Sequence, residues 1–305
     1  MKIIRPVEVT DAGLVATNVL ENDYAEWTSG SYSQGDRVMV TTGGYHRNYE
    51  ALTAVSNVFP PNNPDKWLDL GATNRWKMFD GRVGTSTESS AAWAVGTGNG
   101  IQVDVAPGSV INSLALFGLY GDTVTIEVID PTDGVVYQRT ITLVDNQGVT
   151  DWYAYFFTPI ERKEAVLLLD LPSYGTATLR VSIDKADEPA RCGLLVAGMQ
   201  YHLGDTHYGS GVGILDFSRK ERDEFGNPEI LEREFSRRGN FDLSVFSNRT
   251  DYIYRLLAKY RTKPLVWVGA EHRPSTHVYG YFRDFDIVLS GPRLTEITID
   301  VEGLI

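Results

Sequence analysis

The chain has 305 residues, 42% of them hydrophobic and 22% charged, with a formal net charge of -12. That composition fills a sizeable core and fits two domains, or three small ones. The acidic balance argues against non-specific binding to nucleic acid, which needs clustered Lys and Arg, and against docking on anionic membranes.

Aromatic residues at 11%, 29 Gly and many Val, Thr and Ile favour a β-rich protein. The single Cys192 cannot form an intramolecular disulfide and reads as a small core residue. The start, MKIIRPVEVTDAG, has no apolar stretch of signal-peptide type, and no apolar run reaches membrane-spanning length. The expectation is a protein made in a cytoplasm and not inserted in a membrane.

Residues 1–22 read as an N-terminal arm. Ile3-Ile4 is broken by Pro6, Asp11-Ala12-Gly13 is a turn, and 14–19 is a strand or extended arm, ordered by packing or by a partner subunit.

Residues 23–75 read as a small aromatic β module. Ser29-Gly30 and Gly35-Asp36 mark turns. The β patterns at 37–40 and 45–52, with Thr42-Gly43-Gly44 between them, predict a hairpin. Phe59-Pro60-Pro61-Asn62-Asn63-Pro64 is irregular, because Pro removes a donor and restricts the residue before it. The site candidates lie here: Trp27, Tyr32, Tyr45, Tyr49 and Trp67. Large rings can anchor a tiny core, and they can equally present a flat face to a sugar or a protein partner.

Trp27, Tyr32, Gly35-Asp36, Val38, Tyr49-Glu50-Ala51, Pro64 and Trp67 fall in an order that resembles small chitin-binding-type (family 5/12) carbohydrate-binding modules. In sugar-binding members of that family, adjacent exposed aromatics follow the Tyr-Glu-Ala segment. Here Leu52-Thr53-Ala54-Val55 stands in that place. A second resemblance covers more of the chain. The strings WLDLGATNRWKMFD (67–80), DWYAYFF (151–157), GDTHYG (204–209) and VEGLI (301–305) are similar to tail-tip and baseplate proteins of long-tailed bacteriophages.

Residues 76–200 read as an antiparallel β-sandwich. Alternating patterns at 101–105, 123–130, 135–143 and 177–183, the turn Pro131-Thr132-Asp133-Gly134 and the apolar run 166–169 carry that reading. Residues 201–305 read as a β-rich C-terminal domain with one helix near 249–262. Asn248 is its expected cap, Ile253, Leu256, Leu257 and Tyr260 its apolar face, and Lys263-Pro264 its stop. The mixed charges of 218–238 predict a solvated hairpin or loop. Strands are expected at 265–268, 277–281, 286–289 and 296–301. The fold class is therefore mainly β: a small aromatic β module, an antiparallel β-sandwich, and a C-terminal β-rich region with one α-helix.

The sequence offers little chemistry. Gly209-Ser210-Gly211-Val212-Gly213 lacks the sequel of a phosphate loop and reads as a tight turn. His46, His202, His207, His272 and His277 form no metal-binding pattern. The segments 130–134 and 145–148 superficially suggest calcium loops but lack the ligand spacing. Ser218 and Ser236 lie in no nucleophile elbow. No enzyme activity, cofactor or metal is expected. The tail resemblance implies a structural component of a phage tail tip or baseplate, assembled in the host cytoplasm around the tail axis. Its partners would be other tail proteins and copies of itself, with host-surface attachment as a further role. The alternative is a lectin-like protein recognising a bacterial surface glycan.

Overall fold

The computed structural model describes residues 1–89, 99–145, 151–159, 161–222 and 228–304. The chain is mostly antiparallel β. One sheet has ten strands, in the order Ala165–Leu168, Ser113–Phe117, Leu194–His202, Lys2–Pro6, Leu265–Val268, His277–Val288, Leu294–Gly303, Phe235–Phe246 and Asp205–Thr206. The tenth strand, Gly211–Asp216, also pairs with Phe235–Phe246. A second sheet of five runs Gly134–Thr142, Thr123–Asp130, Thr178–Asp184, Ile101–Val105 and Leu14–Thr17.

The expected sandwich is present. Every second residue of Thr123–Asp130 is buried, as period-2 alternation requires when one face meets a core. Ile126, Val103 and Leu179 of the five-stranded sheet share a core with Leu114, Leu116, Leu195 and Ala197 of the larger one. Cys192 lies in that core, and burial pushes its thiol up to about 12.

Two expected boundaries fail. The N-terminal arm is no arm. Lys2–Pro6 is an interior strand, paired with Leu194–His202 on one side and Leu265–Val268 on the other. Ile3 and Ile4 are adjacent, so they point to opposite faces, and both faces of this strand are covered. Leu14–Thr17 then joins the second sheet beside Ile101–Val105. The domain boundary placed at 200/201 falls inside Leu194–His202, whose neighbours come from both sides of it. Backbone pairing across that position makes one continuous sheet. Gly198 permits it: a side-chain carbon there would land on the Arg5 carbonyl oxygen.

Beyond the sandwich, the large sheet packs on the helix α2 (Thr250–Tyr260). The predicted face is the buried one: Ile253, Leu256, Leu257 and Tyr260 meet Phe241, Leu243, Ile297 and Ile299. The cap differs. Asn248 lies in a preceding 3-10 turn, Ser247–Arg249, and no side chain caps the helix. The charged stretch folds as a hairpin, with Arg219–Arg222 paired to Pro228–Leu231. Its tip, and the calcium-like segment beyond Asp145, lie outside the described residues. One element had no sequence expectation: a short helix α1, Trp152–Phe157.

The aromatic module has its own sheet. Arg37–Val40 and Arg47–Ala51 form the predicted hairpin, with Gly43 at φ 120° in the connection. Trp67–Ala72 pairs on one side and Ala25–Glu26 on the other. The module is pinned to the body by a buried polar cluster. The Glu21 carboxylate accepts from Thr73 Oγ1 at 2.7 Å and Arg75 Nη1 at 3.1 Å and lies 2.8 Å from His46 Nδ1. Asp23 accepts from the Asn48 side chain and the Asn74 backbone N–H.

Candidate functional site

The five nominated rings divide four to one. Tyr49 and Trp67 are buried in the module's own core with Val38, Val40, Ala51 and Val55, and Trp27 and Tyr32 pack against it. Tyr32 meets Trp67 edge-on at 5.4 Å between ring centres, and Trp27 meets Phe59 in the same way at 5.1 Å. Trp67 Nε1 donates to the Val58 carbonyl at 3.1 Å. The Tyr32 hydroxyl donates to the Thr28 carbonyl and accepts from its N–H. These side chains are committed to holding the module together, as a core this small requires.

Tyr45 is the exception. It sits in the hairpin connection, leaves the module's core and packs edge-on against Trp76, 5.7 Å away, at the edge of the sandwich core. Its other neighbours line a cleft of about 730 Å³ between the module, the interior strand Lys2–Pro6 and the end of α2. Such a volume is in the range of small-molecule sites. The lining also includes Asp80 and Tyr279, both near enough to act on the Tyr45 hydroxyl, and the apolar side chains Leu195 and Val196.

The electrostatics of the cleft follow from partial burial. Burial and then the Glu8 carboxylate, which accepts a hydrogen bond from the phenol, push the Tyr45 hydroxyl up to about 12. Burial and then Asp80 push Tyr279 up to about 12. Asp80 is itself raised by burial, against hydrogen bonds donated by the Arg82 N–H and the Thr85 hydroxyl. Both phenols therefore stay protonated at neutral pH; Tyr45 spends its proton on Glu8, and Tyr279 can donate. The buried Ser109 hydroxyl, also on the lining, has no hydrogen-bond partner among the described residues.

Sequence reasoning reached only Tyr45 here. Glu8, Asp80 and Tyr279 come from separate segments, and nothing in their local sequence marks them. The histidines are used elsewhere: His46 at Glu21, and His277 Nε2 3.1 Å from the Ala270 carbonyl. Among the described residues no group of three His, Cys, Asp or Glu could hold a metal ion. At the calcium-like turn, Asp130 accepts the N–H groups of Thr132 and Asp133 and the Thr176 hydroxyl. No described helix is long and apolar enough to cross a membrane.

No family model and no curated protein matches the chain. Among solved structures, chitosan-binding module 1 derived from a chitosanase/glucanase of Paenibacillus sp. IK-5 aligns at 15% identity. The alignment covers 40% of this chain and 81% of that one, with a TM-score of 0.26. A likeness so slight carries no argument about ligand.

Proposed function

We propose that the chain is a structural component of a bacteriophage tail tip or baseplate, working by protein–protein assembly and without catalysis. The observation that carries this reading is the apolar surface on two projections. On α1, Trp152, Tyr153, Tyr155, Phe156 and Phe157 are all exposed, Trp152 by 78%. On the described residues of 211–222 and 228–235, Ile214, Phe217, Ile230, Leu231 and Phe235 are exposed. A cavity of about 400 Å³ beside the latter is lined by Arg162, Ala165, Ile214 and Phe235. Aromatic rings clustered in water mark a surface meant to be covered. Covering about half of each of the five α1 rings removes on the order of 450 Å². A standard interface buries about 800 Å² per partner, so α1 alone supplies about half of one side. The strings at 67–80 and 151–157 that resemble tail proteins add to the reading, and the second of them forms α1.

A lectin-like reading based on the small module has less behind it, since four of its five nominated rings are turned inward. The test is antibody labelling of purified tails viewed by negative stain. Label at the tip in rotational symmetry is the expected result, and uniform absence there refutes the proposal.

A further inference from the structure

We infer that the cleft beside Tyr45 is a binding site for an acidic saccharide, a sugar bearing a carboxylate or phosphate. The chain is strongly acidic overall, yet this cleft is lined by Arg5, Arg47, Lys259 and Lys263 against the carboxylates Glu8 and Asp80. Arg47 is paired with Asp69 outside the cleft. Arg5, Lys259 and Lys263 make no ion pair among the described residues; Arg5 donates only to the Tyr260 hydroxyl, at 3.3 Å. Three cations that line one concavity without an ion-pair partner favour an anionic group there.

The same lining has the chemistry of hydroxyl recognition. Asp80 accepts, the Tyr279 phenol donates, and the Tyr45 oxygen, whose proton goes to Glu8, accepts. Val196, Leu195 and the ring of Phe79 add apolar surface for the C–H face of a sugar. The volume admits roughly two or three sugar rings.

An acidic peptide fits less well. Extended peptides bind by adding to a free sheet edge. The strands beneath this cleft, Lys2–Pro6 and Leu194–His202, are each paired on both sides, so no backbone edge is offered. A long polyanion would also meet the negative charge that dominates the rest of the surface.

The proposal does not depend on assembly into a tail, and its test uses the isolated full chain. Calorimetric titration would compare trigalacturonic acid, its methyl ester, phosphorylated maltotriose and tetraglutamate at low ionic strength. Carboxylated or phosphorylated sugar should bind about tenfold or more tighter than the neutral ester. The double variant Lys259→Gln/Lys263→Gln, which leaves Arg5 as the one remaining unpaired cation, should cut that preference severalfold. Both lysines are exposed, so an unmoved urea midpoint verifies that the fold is kept. Tyr45→Phe should weaken acid and ester alike. The proposal is overturned if neither acidic sugar binds, if the ester binds as well as the acid, or if the double variant retains the preference in full. Tetraglutamate binding as tightly as the sugars also overturns it, in favour of a peptide.

Discussion

Ile3 and Ile4 offer the sharpest test of the fold. Both are fully buried, and they serve different cores. Ile3 packs with Phe241, Ile299 and Trp267 on the α2 side, and Ile4 with Ala115, Val196 and Val266 on the opposite face. Truncating a buried Ile to Ala loses transfer free energy and leaves a cavity, about 2–5 kcal/mol in total. Taking about 3 kcal/mol for each, either change removes a large share of the 5–15 kcal/mol that typically holds a domain folded. The two side chains belong to different buried clusters, so the double variant should lose clearly more than either parent, up to the sum of about 6 kcal/mol less any coupling through their shared backbone. Urea unfolding followed by circular dichroism reads this directly. With a slope near 3 kcal/mol/M, each single variant moves the midpoint down by about 1 M. A peripheral arm would behave otherwise, with surface substitutions staying within about 0.5 kcal/mol. Either single variant losing less than about 1 kcal/mol refutes the interior-strand reasoning, and a double variant no worse than its worse parent refutes the two separate cores.

Three further outcomes follow from the same geometry. Trp67→Ala should cost the aromatic module about 3–5 kcal/mol, because it empties the centre of a small core, and limited proteolysis should then cut within 23–75 first; a variant as resistant as the parent contradicts the core assignment. Gly198→Ala should leave the chain largely insoluble, since its Cβ collides with the Arg5 carbonyl in the neighbouring strand; soluble protein with an unchanged melting temperature counts against the pairing. The N–H of Thr132 and then the Thr176 hydroxyl hold the Asp130 carboxyl below the usual carboxylate range. Its contribution is thus fully present above the unfolded value of about 3.9 and lost as pH falls through the lower folded value. Asp130→Asn should flatten the acid limb of a stability–pH curve, and an identical limb contradicts it.

How much of this was legible in the sequence depends on the range of the forces involved. Thr123–Asp130 and Thr178–Asp184 announce themselves because alternation is local, and each presents one buried face. The α2 face is legible for the same reason, at a helical period. Lys2–Pro6 is not, because two adjacent apolar residues carry no period, and its partners lie about two hundred residues or more along the chain. The aromatic run at 152–157 is composed like a buried strand yet forms an exposed helix, and burial is what composition cannot report without a partner. For Trp27, Tyr32, Tyr49 and Trp67, order along the chain located the module but left core packing and display both open; their contacts within the module assign them to packing.

Tyr45 shows where such reading stops and why net charge misleads at the same place. Its ring lies in a loop between two legible strands, but its use is set by Trp76, Glu8, Asp80 and Tyr279, which only the assembled sheet brings together. The sum of -12 argues against a polyanion, whose charges would extend over the whole acidic surface. It says nothing about a small anion. Beyond a screening length of about 8–10 Å the remote carboxylates are largely screened by salt, whereas a small anion in the cleft would lie within that length of the cations that line it. Arg5, Lys259 and Lys263 come from both ends of the sequence and act on that short scale. A local positive site can therefore sit in an acidic protein without contradiction, and the sign of the whole chain gives no ground for excluding it.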